Sequence, residues 1–157
     1  MKSLIFKMIQ PYLVSIGRTL VCLVVGIFCS LVFFRQFWIS GFDRIAGDNG
    51  DASLIISFLE HWVKVLTVGI EWMSPSFFYP LKGVLGLSDA FMLYAIVYVP
   101  LRMFDLDPYL CFQATLISVH SLGFFSFMAL SRYGLKLKFI PSLLGVTCPQ
   151  FMYQPQC

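Results

Sequence analysis

The chain has 157 residues, 59% of them hydrophobic and 12% charged, with a formal net charge of +3. Soluble domains average roughly 45–50% apolar and about 25% charged residues, so the composition points away from a water-soluble domain and toward an all-α integral membrane protein with the lipid bilayer as its first partner. The basic residues are scattered along the chain and form no stripe that could track a phosphate backbone, which sets nucleic acid aside as a partner.

Residues 1–18 carry Lys2, Lys7 and Arg18 ahead of an apolar run. That run is long and has no small-x-small cleavage site, so it reads as an uncleaved anchor behind a cytoplasmic N-terminus. Thr19–Phe34 is free of charge, and Phe37, Trp38 and Ile39 extend it past Arg35 to about 20 residues, enough to cross a hydrocarbon core of ~30 Å. A first transmembrane helix is therefore predicted over 19–39, with Arg18 and Arg35 snorkelling at its ends and Trp38 in the aromatic belt.

Residues 40–107 are too polar to span and form a predicted extracytoplasmic loop. Within it, 51–67 places Ile55, Phe58, Leu59, Trp62, Val65 and Leu66 on one helical face and Ser53, Ser57, Glu60, His61 and Lys64 on the other, which predicts an amphipathic helix lying in the membrane interface. Trp72–Pro80 has two prolines framing Phe77, Phe78 and Tyr79, a pattern for irregular backbone with aromatic interface anchors. Ser88 and Asp89 offer an N-cap to a short helix over 89–103. Its charge-free part, Ala90–Leu101, is 12 residues long and holds Pro100; a spanning helix needs about 20, so this segment is assigned to the interface.

Pro108–Ser131 has 24 residues without a formal charge and begins with a helix-starting proline after Asp107, which predicts a second transmembrane helix over 108–131. This arrangement leaves Lys2, Lys7, Arg18, Arg132, Lys136 and Lys138 all on the cytoplasmic side, as the positive-inside rule favours; if Ala90–Leu101 also spanned, the last three would lie outside. After the basic loop 132–138, residues 139–157 begin a third helix and then change to CPQFMYQPQC. A spanning helix cut short leaves backbone groups unsatisfied in lipid, so truncation or a shifted reading frame near Thr147 is expected. There is no internal repeat and no linker, so 1–157 reads as one membrane domain.

Chemistry concentrates in the loop after the first helix: GDNGD over 47–51, then Glu60, His61 and Trp62. A carboxylate there can act as general base toward an acceptor hydroxyl. Asp48 and Asp51 are the catalytic candidates, with Glu60 and His61 as substrate-binding candidates; Glu60 is about 13 Å from Asp51 along a helix at ~1.5 Å per residue, too far for a direct pair. Each also has a structural reading: Asp51 as an N-cap, Asn49-Gly50 as a turn, Glu60 with Lys64 as a surface i,i+4 pair, and His61 as an interfacial histidine. No cofactor is implied. A divalent cation has no motif behind it, because the D-N-G-D spacing does not fit a calcium loop. The five cysteines include no C-x-x-C, and those in apolar runs act as small hydrophobes. His120, in the middle of the second predicted span, is either a functional group or a neutral histidine bonded to a neighbouring helix.

The segments GDNGDA (47–52), LEHW (59–62), WMSPSFFYP (72–80), LGLSDA (85–90) and LRMFDLDPYLCFQ (101–113), in an order of anchor, acidic loop, amphipathic helix, short apolar helix and second span, resemble the N-terminal part of bacterial GT-C-type membrane glycosyltransferases. The resemblance covers Leu20–Thr147. It implies a multi-pass protein of the bacterial inner membrane, an inverting transfer from a polyprenyl-phosphate-linked sugar donor at the extracytoplasmic face, and an acidic base in the first external loop. Asp48 is carried over first and Asp51 second. Family members continue through many more membrane helices, so the chain is expected to be an inactive N-terminal piece. Two rival readings are a small non-enzymatic accessory protein that packs on a membrane protein partner, and a transporter piece for which His120 is the sole support.

Overall fold

The computed structural model describes residues 2–45, 49–87 and 89–152. All regular structure among the described residues is helical. Helix α1 (Lys2–Phe33) reaches far upstream of residue 19, because the basic N-terminal segment is itself rich in good helix formers such as Leu, Met, Gln and Lys. A turn at Phe34 separates it from the short α2 (Arg35–Ile39). The predicted 19–39 helix is thus two pieces, broken at the first charge of the run.

Helix α3 (Asn49–Val68) contains the amphipathic stretch, α4 (Met92–Arg102) the short apolar one, and α5 (Pro108–Ala129) the second predicted span. A π-helical turn over Leu130–Gly134 closes α5, and α6 (Phe139–Met152) follows. The described residues form two compact units, one from Met1–Phe34 with Ser121–Gln154 and one from Arg35–His120.

In the first unit α1, the latter part of α5, and α6 share a small core of Phe124, Met128 and Val146, with Cys22, Val25, Phe139 and Leu143 against it. Helices approach closely where a side chain is missing: a Cβ on Gly26 would lie 3.0 Å from Phe124 Cε1 and 3.3 Å from Phe125 Cζ. Ser30 and Ser121 hydroxyls meet at 3.5 Å. Among the described residues two helices are long and apolar enough to cross a membrane, Ile16–Phe33 and Pro108–Gly134, and only 17% and 22% of those windows are buried within the protein. A core helix of a soluble protein would hide most of its apolar surface; α1 instead turns Val24, Ile27 and Phe28 outward at more than half exposure.

The second unit is built on α3. Ala52, Ile56, Phe58, Leu59 and Trp62 close on Ala95, Tyr98 and Val99 of α4 and on Cys111 and Phe112 in the first turns of α5. The apolar face predicted for a membrane interface is therefore covered by protein, and it is rotated slightly: Ile56 is buried while Leu66 is exposed. Two further expectations shift. Helix α4 begins at Met92, after Phe91 in the left-handed region at φ 48°, with no side-chain cap; Asp89 lies too far upstream to cap it, and Ser88 is outside the described residues. The Phe77 and Phe78 rings meet Phe58, at 4.7 and 6.2 Å between centroids; Phe78 packs against the unit's core, while Phe77 stays exposed. Trp72 and Tyr79 remain exposed. The start of α5 is as expected, with Asp107 Oδ1 accepting from the Tyr109 and Leu110 amides at 2.8 and 3.2 Å ahead of Pro108.

Candidate functional site: a polar cleft on helix α3

Helix periodicity sets Ser57, Glu60, His61 and Lys64 on one flank of α3, and the chain that returns over 72–80 and the start of α5 wall that flank in. The result is a cleft of about 350 Å³ lined by Ser57, Glu60, His61, Lys64, Ser76 and Tyr109, with apolar contributions from Ile56, Phe77 and Pro108.

The return chain is held by specific bonds. His61 Nε2 donates to the Trp72 carbonyl at 2.9 Å. Trp62 Nε1 donates to the Ala90 carbonyl at 2.7 Å, and the Leu85 amide to the Met73 carbonyl at 3.1 Å. His61 is 4% exposed, so its ring is a buried strut and presents little of itself to the cleft.

Glu60 is the electrostatic centre. Its Oε1 accepts from the Tyr98 hydroxyl at 2.6 Å and from Arg102 Nε at 2.6 Å, while Arg102 Nη2 reaches Oε2 at 3.4 Å. Arg102 also donates to the Leu106 carbonyl, which ties the end of α4 to the turn before α5. Burial on its own raises the Glu60 carboxyl, but the hydrogen bonds from Arg102 and Tyr98 and the charges of Arg102 and Lys64 outweigh it and hold the group below the usual carboxylate range. Arg102 is raised, first by its hydrogen bond to Glu60 and then by that carboxylate's charge. Tyr98 is pushed well above an ordinary phenol by burial and by its bond to the Glu60 carboxylate. Tyr98 thus remains a neutral donor and Glu60 an ionised acceptor across the physiological range.

The expected i,i+4 pairing of Glu60 with Lys64 gives way to these partners. Lys64 acts on Glu60 only through its charge, which leaves an ammonium at the cleft wall. A carboxylate held low and shared between two donors is a poor proton acceptor, because a general base works best with a pKa near the operating pH. Its part is to fix the cleft wall. Glu60 and His61, the residues expected to bind substrate, are brought together here; Asp51 is not. Asp51 lies in the first turn of α3, inside the helix rather than ahead of it, and is exposed, where its charge complements the helix dipole. Asp48 lies outside the described residues. Tyr98 and Arg102 were not singled out from the sequence; the one available signal was an Arg closing an apolar helix that holds no acid of its own.

Three cysteines, Cys22, Cys29 and Cys111, are free thiols, and among the described residues no group of His, Cys, Asp and Glu has the geometry to hold a metal ion. Comparison with known protein families, with characterised proteins and with solved structures finds no match to this chain.

Proposed function

We propose that the chain is an integral membrane protein in which α1 and α5 cross the bilayer and the helical unit between them stands at the extracytoplasmic face, where its cleft receives the polar head of a lipid-linked sugar for transfer of the GT-C type. The observation that carries the membrane part is the outward apolar surface of Ile16–Phe33 and Pro108–Gly134, which water would not tolerate at that extent. Support for the transfer part is narrower. Lys64, Ser76 and Tyr109 line the cleft and bring donor groups suited to a phosphate and a sugar, while the Ser57 hydroxyl already donates to the Ser53 carbonyl at 2.8 Å. Asp48 and Asp51 are the carboxylates that the sequence nominates as base, and one of them would take the proton of the acceptor hydroxyl as it attacks the anomeric carbon and the lipid phosphate leaves; Asp51 is exposed in the first turn of α3, outside the cleft lining.

The experiment is sugar transfer from a radiolabelled polyprenyl-phosphate sugar in membranes carrying the protein, with Asp48→Asn and Asp51→Asn compared. The reading requires activity that falls at least 100-fold on losing the base, within the contribution of general base catalysis of about 10²–10⁴. Activity indifferent to both substitutions sinks it. One observation favours a second reading, a non-enzymatic accessory protein: the Glu60 carboxylate in the cleft is committed to Tyr98 and to Arg102, which holds the turn before α5. Stable, stoichiometric co-purification with a larger membrane protein, without transfer activity, would select it.

A further inference from the structure

Helix α4 has two apolar faces, and the fold buries one of them. Ala95, Tyr98 and Val99 lie in the core built on α3. On the other side Met92, Leu93, Ile96 and Pro100 are all exposed, and at ~3.6 residues per turn they fall within an arc of about 100°. Met103 and Phe104, 70% and 77% exposed, prolong the strip past the end of the helix. We propose that this outer face of α4 lies in the acyl boundary of the bilayer, held there by apolar burial without regard to headgroup charge, so that α4 supports α3 and its cleft at the membrane surface. The proposal rests on the reading that α5 crosses the bilayer.

Length decides how α4 can meet lipid. Its 11 residues, at ~1.5 Å each, come to about 16 Å, half of a ~30 Å hydrocarbon core, so the helix lies along the surface. Its one charged side chain is turned to the protein: Arg102 donates through Nε to Glu60 Oε1 at 2.6 Å and through Nη1 to the Leu106 carbonyl. The exposed apolar surface then continues toward the span. Leu106 in the turn, and Tyr109 and Leu110 in the first turn of α5, are exposed, and Pro108 opens the helix that is long and apolar enough to cross. The strip therefore ends where the chain enters the membrane, with Tyr109 placed for the aromatic belt.

Polarity and charge name the occupant. A protein partner's interface carries about one hydrogen bond per 100–200 Å², whereas Met92, Leu93, Ile96 and Pro100 offer no strong side-chain donor or acceptor; hydrocarbon asks for none. Interfacial helices that select anionic lipid carry Lys and Arg around their apolar face. Here the exposed charges next to the strip are Asp105 and Asp107, which an anionic surface would repel, so the affinity is for the acyl boundary itself. Packed helices lie ~8–10 Å apart between axes. Helix α3 thus sits one helix layer farther from the hydrocarbon than α4, and the Tyr98 and Arg102 bonds to Glu60, both 2.6 Å, fix the cleft flank at that height.

The test is nitroxide scanning of the full chain in lipid nanodiscs, with its five cysteines replaced and single labelling sites introduced as Leu93→Cys, Ile96→Cys and Phe104→Cys. Collision with oxygen, which concentrates in lipid, against collision with a nickel chelate, which stays in water, reads the depth of each label. Ser53→Cys on the exposed face of α3 is the water reference, and Ile27→Cys on α1 and Leu122→Cys on α5, both exposed on the protein, report the spans. Positions 93, 96 and 104 should lie about 5–10 Å inside the headgroup boundary, equally in phosphatidylcholine and in mixtures with phosphatidylglycerol and at low and high salt, while 53 stays in water. Each label replaces an exposed side chain, and where one site disturbs the thermal melt the other two read the same face. Nickel contact at 93 and 96 matching that at 53, with 27 and 122 in lipid, overturns the proposal and leaves the spanning reading standing. Labels shielded from both reagents, which would put a second copy or another protein on the face, overturn it as well, and so does depth that appears only with the anionic lipid. Nickel contact at 27 and 122 removes the spanning reading and the proposal with it.

Discussion

Replacing Glu60 by Ala leaves two donors on α4 without their acceptor. Tyr98 is fully buried, and its next acceptor, the Pro108 carbonyl, is 3.5 Å away; an unsatisfied buried hydroxyl costs about 1–3 kcal/mol. The Arg102 pair adds less, because both side chains keep about a quarter of their surface in water (22% and 26%) and solvent screening limits such pairs to ~1 kcal/mol. Glu60→Ala should therefore cost about 2–3 kcal/mol, the larger part through Tyr98. Tyr98→Phe, placed in the Glu60→Ala background, removes the orphaned hydroxyl and should restore about 1–2 kcal/mol, although by itself in wild type it destabilises. Thermal unfolding in mild detergent, followed by tryptophan fluorescence, reads the cycle directly: the double variant should melt above Glu60→Ala. If it melts below, by the full loss that Tyr98→Phe causes alone, the two groups are not coupled and the clamp is wrong.

Three further outcomes follow from the same contacts. The Glu60 carboxyl is depressed in the folded protein, so its contribution is present above the ordinary carboxylate range and is lost as pH falls through the lowered value; the melting difference between wild type and Glu60→Ala should be constant from about pH 6 to 8 and shrink below about pH 4. Asp107→Ala removes the cap on α5 and should lower stability by about 1 kcal/mol, with Asp107→Asn close to wild type in the same melt. Gly26→Leu should destabilise by about 1–3 kcal/mol through overpacking against Phe124, while Gly26→Ala, which needs only a small ring shift, should stay within about 1 kcal/mol of wild type in chemical denaturation.

What could be read from the sequence was set by local signals. The apolar runs located α3, α4 and α5, and the Asp107-Pro108 step marked the start of α5 to the residue. The break at Phe34 carried no glycine or proline, and Arg35 alone did not announce it. The cap at Phe91 is a strained aromatic held by the rings around it, so no capping residue type betrays it. At the site, Glu60 and His61 were found because polar residues on one flank of an amphipathic helix stand out. Their partners were not, since Arg102 is 42 positions away and Tyr98 is 38; Lys64, four residues on, looked like the better partner for as long as only helical spacing was in view. Phe78 read as a membrane anchor because belt residues and small-core residues have the same composition, and only its packing beside Phe58 tells the two apart; Trp72, Phe77 and Tyr79 keep the exposure an anchor needs.

The central claim, that α1 and α5 cross the membrane with the α3–α4 unit outside, is tested most directly by cysteine labelling in intact bacterial cells. In a background with all five cysteines replaced, Ser53→Cys on the exposed face of α3 and Lys136→Cys in the exposed turn after α5 would each be challenged with a membrane-impermeant maleimide. The account predicts labelling at position 53 in intact cells and at position 136 only after permeabilisation. Both positions labelled from the same side, or neither protected in a protein released from membranes by carbonate, would contradict it.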